Sequence, residues 1–278
     1  LSAQEFLTAF LFLRRDVASA PRTVRMPLAE SDVYSGHVYG DGVAGAQSRI
    51  GLLTGFSLDC GSSLPLRPDE IRLPRSGSAG VVVGGAYSSL AENGKNSFDL
   101  SAFVRELKHR GVLSPGNATN PEKEIYENST GELLLNAPEH FMKVNTSRLQ
   151  GICGEAGSRA KLENLEIVSM SVRGNLALVS VDGERSIDEA GRMVLVFSTD
   201  ARNSGMTFTN RNARTLMKNG KAPVLVRTGT FTVRLHGRRN SDFRVFALRD
   251  DGSRLCELPL KKQNGVWELS CNTASFPN

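Results

Sequence analysis

The sequence lacks most of the patterns from which common catalytic and metal sites are built. Its 278 residues include four Cys and four His, with no CxxC pair and no His at metal-ligand spacing from a Cys, so no metal site is expected. Neither GxSxG nor HExxH occurs, which excludes a nucleophile elbow and a zinc-protease helix. Neither GxGxxG nor GxxxxGK[ST] occurs, so we predict no phosphate loop and no cofactor.

Long apolar runs are also missing. No stretch approaches the roughly 20 apolar residues that span a bilayer, so no membrane span is predicted. The apolar residues 6–13 form a short run that ends at Arg14, Arg15 and Asp16 and has neither a basic leader nor a cleavage site, unlike a signal peptide. Because the sequence starts at Leu1, we expect a processed form or a piece of a longer chain.

Charge of one sign is only mildly in excess. The 34 Lys and Arg exceed the 29 Asp and Glu by five, and we interpret this excess as spread along the chain. The nearest approach to a cluster is Arg234, His236, Arg238 and Arg239. Since a nucleic-acid binder usually concentrates basic charge with aromatics on one face, we expect a solvated basic surface and no nucleic-acid partner.

Aromatic residues are scarce, and this bears on sugar recognition. The single Trp, Trp267, lies in the last hairpin of the sequence, where a shift of register by one residue decides whether it faces the core or solvent. Core packing is the favoured interpretation. Trp267 nevertheless stays a candidate ligand-binding residue, because an exposed ring could form a sugar platform.

The second half has the alternation of β-strands. A hairpin pattern over residues 128–154 is followed by short apolar runs separated by turn residues, with Asp250-Asp251-Gly252 and Asn264-Gly265 at the last two tips. We therefore predict a mainly β protein with an antiparallel β-sandwich at residues 121–278. Residues 1–120 read as a mixed α/β region with an apolar helix over 2–15 and a second helix over 98–112.

Polar candidates for chemistry are few. Glu132, Glu155, Asp182 and Asp200 are carboxylates by type alone, and no spacing singles out a catalytic pair. The segment at Asp200, Arg202 and Asn203 follows an apolar strand and suits the binding of hydroxyl groups. The competing interpretation is a loop whose side chains bond the local backbone.

Two cysteines flank the last predicted strands. Cys256 and Cys271 are placed for a cross-strand disulfide, while two buried free thiols are an equally good interpretation. A disulfide would favour an extracellular or periplasmic location.

Several segments resemble a known group of enzymes. Residues 6–17 (FLTAFLFLRRDV), 129–144 (STGELLLNAPEHFMKV), 145–154 (NTSRLQGICG), 168–183 (VSMSVRGNLALVSVDG), 193–206 (MVLVFSTDARNSGM) and 245–254 (VFALRDDGSR) are similar to the region after the catalytic barrel in bacterial glycoside hydrolases of clan A. Asn128, Val181 and Ser204 depart from that pattern. The resemblance implies a β-sandwich behind a (β/α)₈ barrel.

The resemblance also assigns the catalytic work elsewhere. In clan A the two catalytic glutamates lie on barrel strands, upstream of the matched region, so no residue here inherits their role. The apolar opening helix would correspond to the last barrel helix or its exit. The first hypothesis is therefore an accessory portion of a glycoside hydrolase that packs on a barrel absent from this chain, with carbohydrate as a further ligand. The alternative is a non-catalytic module that binds glycans or proteins, and a third hypothesis is an enzyme that uses Asp200 with another acid.

Overall fold

The computed structural model describes residues 7–27, 49–59, 65, 67–73, 99–209, 215–237, 242–249 and 251–276. The chain forms two compact units, one of residues 17–138 and the other of residues 1–16 together with 139–278. The predicted mainly β class is confirmed. Predictions for a loop at 29–46 and a strand at 80–84, and most of the connector predicted at 61–78, lie outside the described residues.

The unit of residues 17–138 combines a small parallel sheet with a helix. Its elements are β1 (Arg22–Pro27), β2 (Gly55–Asp59), β3 (Ile71–Arg72), α1 (Leu100–His109), β4 (Ile125–Glu127) and β5 (Leu133–Asn136), with residues 49–53 helical and a 3₁₀ turn at Pro121–Lys123. Strand β1 lies between β2 and β3 and is parallel to both. Strands β4 and β5 are antiparallel.

Helix α1 packs on this sheet through one face. The Asp99 carboxylate caps its first turn by accepting the Ala102 N–H at 2.9 Å. Phe103, Val104 and Leu107 are buried at helical spacing and join a core that includes residues of β1, β3 and the 49–53 segment. The helix predicted over 98–112 is thereby confirmed, with shorter ends.

The limits of this unit differ from those expected from composition. The sequence places a change of character near residue 120, whereas the compact unit runs to Pro138. Tyr126 is buried in the same cluster as α1, and Leu135 packs against that cluster. Strands β4 and β5 therefore contribute to the core of the first unit through the buried Tyr126 and the half-buried Leu135.

The second unit is built from short strands. They are β6 (Phe141–Asn145), β7 (Leu149–Gly154), β8 (Ala160–Lys161), β9 (Leu165–Met170), β10 (Gly174–Ser180), β11 (Met193–Ser198), β12 (Ala201–Ser204), β13 (Thr207–Phe208), β14 (Leu216–Lys218), β15 (Lys221–Val226), β16 (Thr230–Leu235), β17 (Val245–Leu248), β18 (Arg254–Leu258), β19 (Leu260–Gln263) and β20 (Val266–Asn272). Strands β11, β10, β7 and β6 are neighbours in that order, and a second sheet has the order β19-β20-β16-β9-β8.

These two sheets share one apolar core, as in a sandwich. Ile152 and Leu176 are paired across β7 and β10 and contribute to the same buried cluster as Ile167, Val233 and Leu269 of the second sheet. Alternate residues of each strand face this core, as the period of two requires. The predicted antiparallel sandwich matches this arrangement, and the predicted tip at Asn264-Gly265 joins β19 to β20 with positive φ at both residues.

Two buried positions of β7 have little tolerance for change. A side chain at Gly151 would place its Cβ 2.5 Å from the Cβ of Ala177 on β10. The neighbouring Gln150 is 0 % exposed and its Oε1 accepts the backbone N–H groups of Asn164 at 2.8 Å and Leu165 at 3.0 Å. Its Nε2 donates to Thr146 O at 3.2 Å. The buried amide thus provides an acceptor for two backbone N–H groups.

Candidate functional site

The opening segment is held on the sandwich by a buried carboxylate. The Asp16 side chain is 0 % exposed, and it receives the Arg14 Nε at 2.8 Å and the Arg148 Nη2 at 2.9 Å. Arg148 also donates to the Arg14 carbonyl, and Arg14 to the Ser180 carbonyl at the end of β10. Two guanidinium groups around one buried carboxylate are charge-assisted bonds, so this cluster, the Asp16 clasp, fixes the segment to the β7–β10 region.

The residues before the clasp remain largely open to solvent. Residues Ala9–Leu13 form a π-helical turn with no buried member, and the Phe12 and Leu13 side chains are 73 % and 84 % exposed. The longer apolar helix predicted over 2–15 begins outside the described residues and stays a prediction. Two large adjacent apolar side chains in solvent form a surface that an interaction partner could cover.

The predicted polar segment lies on β12. The Arg202 Nε donates to the Asp200 Oδ2 at 2.8 Å, and the guanidinium of Arg202 lies 5.1 Å from the centre of the Phe208 ring. The Asn203 amide donates to the backbone carbonyl of Asn219 at 3.0 Å. Asp200 and Arg202 are about half exposed, and their mutual ion pair leaves the segment organised mainly by local bonds.

Trp267 is packed instead of forming an open platform. It lies on β20 with 9 % of its surface exposed, with its ring edge-to-face against Phe243 at 5.8 Å and under the Lys262 ammonium at 4.5 Å. These contacts place it away from the bonds made by Asp200 and Arg202, so the four candidate residues are not brought together as one site. The favoured core interpretation therefore fits the position of Trp267.

The cysteine pair is present as thiols. Cys256 on β18 and Cys271 on β20 are both free, the first exposed and the second partly buried. Burial raises the pKa of the Cys271 thiol, and the neighbouring Cys256 raises it further. The disulfide between Cys256 and Cys271 stays a prediction. Cys153, on β7, is also a free thiol.

The candidate acids are each bonded to a local donor. Glu132 accepts the Ala18 N–H at 2.7 Å and the Thr130 hydroxyl at 2.8 Å, and the Glu155 carboxylate lies 3.4 Å from Arg173. The Gly191 N–H, helped by Arg185, holds the pKa of Asp182 below its ordinary value. A catalytic pair needs a second carboxylate nearby, whereas the bonds of these acids lead to arginine, hydroxyl and backbone N–H groups.

One groove of about 630 Å³ lies in the unit of residues 17–138. Its wall includes His109 and Arg110 at the end of α1, together with Glu106 and Asp69. The Arg110 Nε donates to the Glu106 carboxylate at 2.5 Å, and the Asp69 side chain is 63 % exposed. The wall of the groove therefore carries both acidic and basic side chains. Of its two acids, Glu106 is paired with Arg110 and Asp69 is exposed to solvent.

The described ranges contain neither a candidate metal cluster nor a membrane helix. No group of three or more His, Cys, Asp or Glu side chains there could hold a metal ion. No helix among those residues is long and apolar enough to cross a membrane. Comparisons with protein-family models, with curated proteins and with solved structures found no match.

Sequence reasoning missed the residues of the Asp16 clasp. Arg14 and Asp16 read as the polar end of an apolar run, and their partner Arg148 follows more than a hundred residues later. A local pattern cannot show that contact. The exposed strands β14 and β15 were also missed as a surface, because the exposure of a strand depends on the tertiary fold.

Proposed function

We propose that this chain is the C-terminal accessory portion of a glycoside hydrolase and that it packs against a catalytic barrel through its opening segment. The observation that carries the proposal is the exposed pair Phe12 and Leu13, held in place by the buried Asp16 clasp. A fixed backbone loses little further entropy when these side chains are covered, which favours a permanent contact. The sequence resemblance supplies the identity of the partner.

The acids of the sandwich agree with an accessory role. Asp182, Asp200 and Glu155 each bond to a nearby arginine or backbone N–H group. Under the proposal the two catalytic carboxylates belong to the barrel, and the sandwich stabilises it. The alternative, a free-standing glycan-binding module, finds less support because the ring of Trp267 is packed between Phe243 and Lys262.

Intact-mass measurement of the protein from its native source, with mapping of its N-terminus, tests the proposal first. We expect either a longer chain with a barrel before Leu1 or a barrel-bearing chain that co-purifies. A mature protein that begins near Leu1 and purifies without a barrel would refute the accessory role.

Hydroxyl-radical footprinting then tests the contact itself. We expect Phe12 and Leu13 to react in this chain expressed alone and to be protected in the native protein. Leu248, which is 49 % exposed, serves as the matched position within the sandwich unit. Equal reactivity of Phe12 in both samples would place the barrel contact elsewhere.

A further inference from the structure

Residues 199–209 and 215–228 form an exposed ribbon, which we call the β-arm. Its ladders pair β12 with β15 and β13 with β14, each as a two-stranded sheet. All residues of β14 and β15 are exposed. Of the nine large hydrophobic side chains that are exposed in the described chain, five belong to the β-arm: Leu216, Met217, Val224, Leu225 and Val226. An apolar concentration of this kind marks an interaction surface.

The β-arm is also basic. It contains four Lys or Arg residues and one acid, Asp200, a net charge of +3. Its ligand should be anionic.

The register places the two valines of β15 and Arg202 on opposite faces of the ribbon. Val224 and Val226 pair with Asn203 and Ala201 on one face. Leu225 pairs with Arg202 on the other, because successive strand residues alternate. The register shifts between Asn203 and Ser204, and Lys221 pairs with Ser204 beyond that shift.

Arg227 and the residues of β14 add further basic and apolar side chains to the ribbon. The Arg227 N–H continues the ladder to the Asp200 carbonyl at 2.8 Å, which puts Arg227 on the basic face with Arg202. Met217, 67 % exposed, lies on the side of β14 opposite Leu216 and Lys218. Leu225, an aliphatic residue of β15, lies on the same face as Arg202. In the thin β12–β15 ladder, one face is thus lined by Val224 and Val226, and the other carries Arg202 and Arg227 together with Asp200 and Leu225.

We propose that the β-arm binds the surface of an anionic lipid bilayer. A flat protein surface can contact only one face of a thin ribbon. A bilayer can satisfy both, since the acyl region accepts the apolar face while the surrounding headgroup phosphates reach the basic side chains. This inference does not depend on the proposed accessory function.

Other occupants fit the β-arm less well. Nucleic acid would need rings for base stacking, and Phe208, the aromatic ring of the described arm, lies beneath Arg202. A second copy would bring another net charge of +3 against the first.

Vesicle sedimentation with the full chain tests the inference. We expect retention on vesicles of phosphatidylcholine and phosphatidylserine at 7:3, weak retention on phosphatidylcholine alone, and a loss of binding as salt rises. Each basic side chain near an anionic surface contributes about fivefold in affinity. The variant Lys218→Gln/Lys221→Gln should therefore lower the partition coefficient about thirtyfold, and Val224→Ser/Val226→Ser should remove the binding that survives high salt.

A matched control removes the same charge outside the β-arm. Lys161→Gln/Lys261→Gln takes two exposed lysines from β8 and β19, and we expect it to bind like the parent chain. An equal loss of vesicle binding in both lysine variants would show that only the net charge of the protein matters, and it would overturn the proposal. Absence of binding to the anionic vesicles would also overturn the proposal. Binding to poly-L-glutamate in place of vesicles would indicate an acidic protein as the partner. Concentration-dependent self-association that Val224→Ser/Val226→Ser abolishes would indicate a second copy of the chain, and either result would overturn the proposal. Far-UV circular dichroism checks that each variant is folded.

Discussion

Removal of the buried carboxylate in the Asp16 clasp should destabilise the sandwich unit strongly. Asp16→Ala leaves the guanidinium groups of Arg14 and Arg148 without their shared partner, and these side chains are only 20 % and 12 % exposed. Breaking a buried ion pair from one side costs about 3–5 kcal/mol. Because both arginines retain some solvent access and each keeps a bond to a backbone carbonyl, we expect a loss near the lower end, about 3 kcal/mol.

The chain offers a close control for this prediction. Glu184 is the other carboxylate bound to Arg148, but its side chain is 89 % exposed. Exposed ion pairs contribute about 0–1 kcal/mol, so Glu184→Ala should change the free energy of unfolding by less than about 1 kcal/mol. The two variants remove the same type of group from the same arginine and differ in burial.

Urea unfolding followed by tryptophan fluorescence measures the difference. Trp267 is the single Trp of the chain and lies in the same compact unit as Asp16, so its emission reports the unfolding of that unit. Tryptic cleavage after Arg14 gives a second readout, because a released opening segment exposes this site even where the sandwich stays folded. If Asp16→Ala matched Glu184→Ala in both assays, the clasp would not hold the segment.

Three further outcomes follow from the sandwich. Gln150→Leu should cost about 2–4 kcal/mol in urea unfolding, because two buried backbone N–H groups lose their acceptor. Gly151→Ala should cost about 1–3 kcal/mol or prevent folding, since the added methyl group meets Ala177 on the next strand. The pKa of Asp182 is lowered, chiefly by the Gly191 N–H, so its contribution to stability is present above its unfolded value near 3.8 and is lost as the pH falls through the lower folded value. Asp182→Asn should therefore be less stable than the parent at neutral pH, and the gap should close in acid unfolding below that window; a gap that persists there would contradict the assignment.

Local patterns predicted most of the regular structure because burial there follows from alternation. The run at 193–198 became β11, and the tip at Asn264-Gly265 became a hairpin. The same alternation could not separate buried strands from exposed ones. Val196 is 9 % exposed in β11, whereas Val224 is 58 % exposed in β15. The difference lies in the number of neighbouring strands and in the apposed sheet, which a short sequence window does not contain.

The candidate site was predicted less completely for a related reason. Arg202 and Asn203 lie on β12 and Asp200 directly precedes it, whereas Trp267 lies among other contacts. The burial of Asp16 depends on Arg148, a contact set by the tertiary fold. The basic residues of the β-arm are visible in the sequence, but their exposure on one ribbon depends on the tertiary fold.

The distribution of exposed apolar side chains separates the roles of the two compact units. In the described part of residues 17–138, Leu58 is the large hydrophobic side chain that is clearly exposed, while α1 buries Phe103, Val104 and Leu107 within its own unit. The sandwich unit exposes Phe12, Leu13 and the five apolar residues of the β-arm. Because a protein rarely leaves such side chains in water without a use for them, contacts with other molecules should be concentrated on the sandwich unit. Surface substitutions along α1 should then change neither protection of Phe12 in the native protein nor retention on anionic vesicles, while substitutions in the opening segment and in the β-arm should affect these two measurements independently.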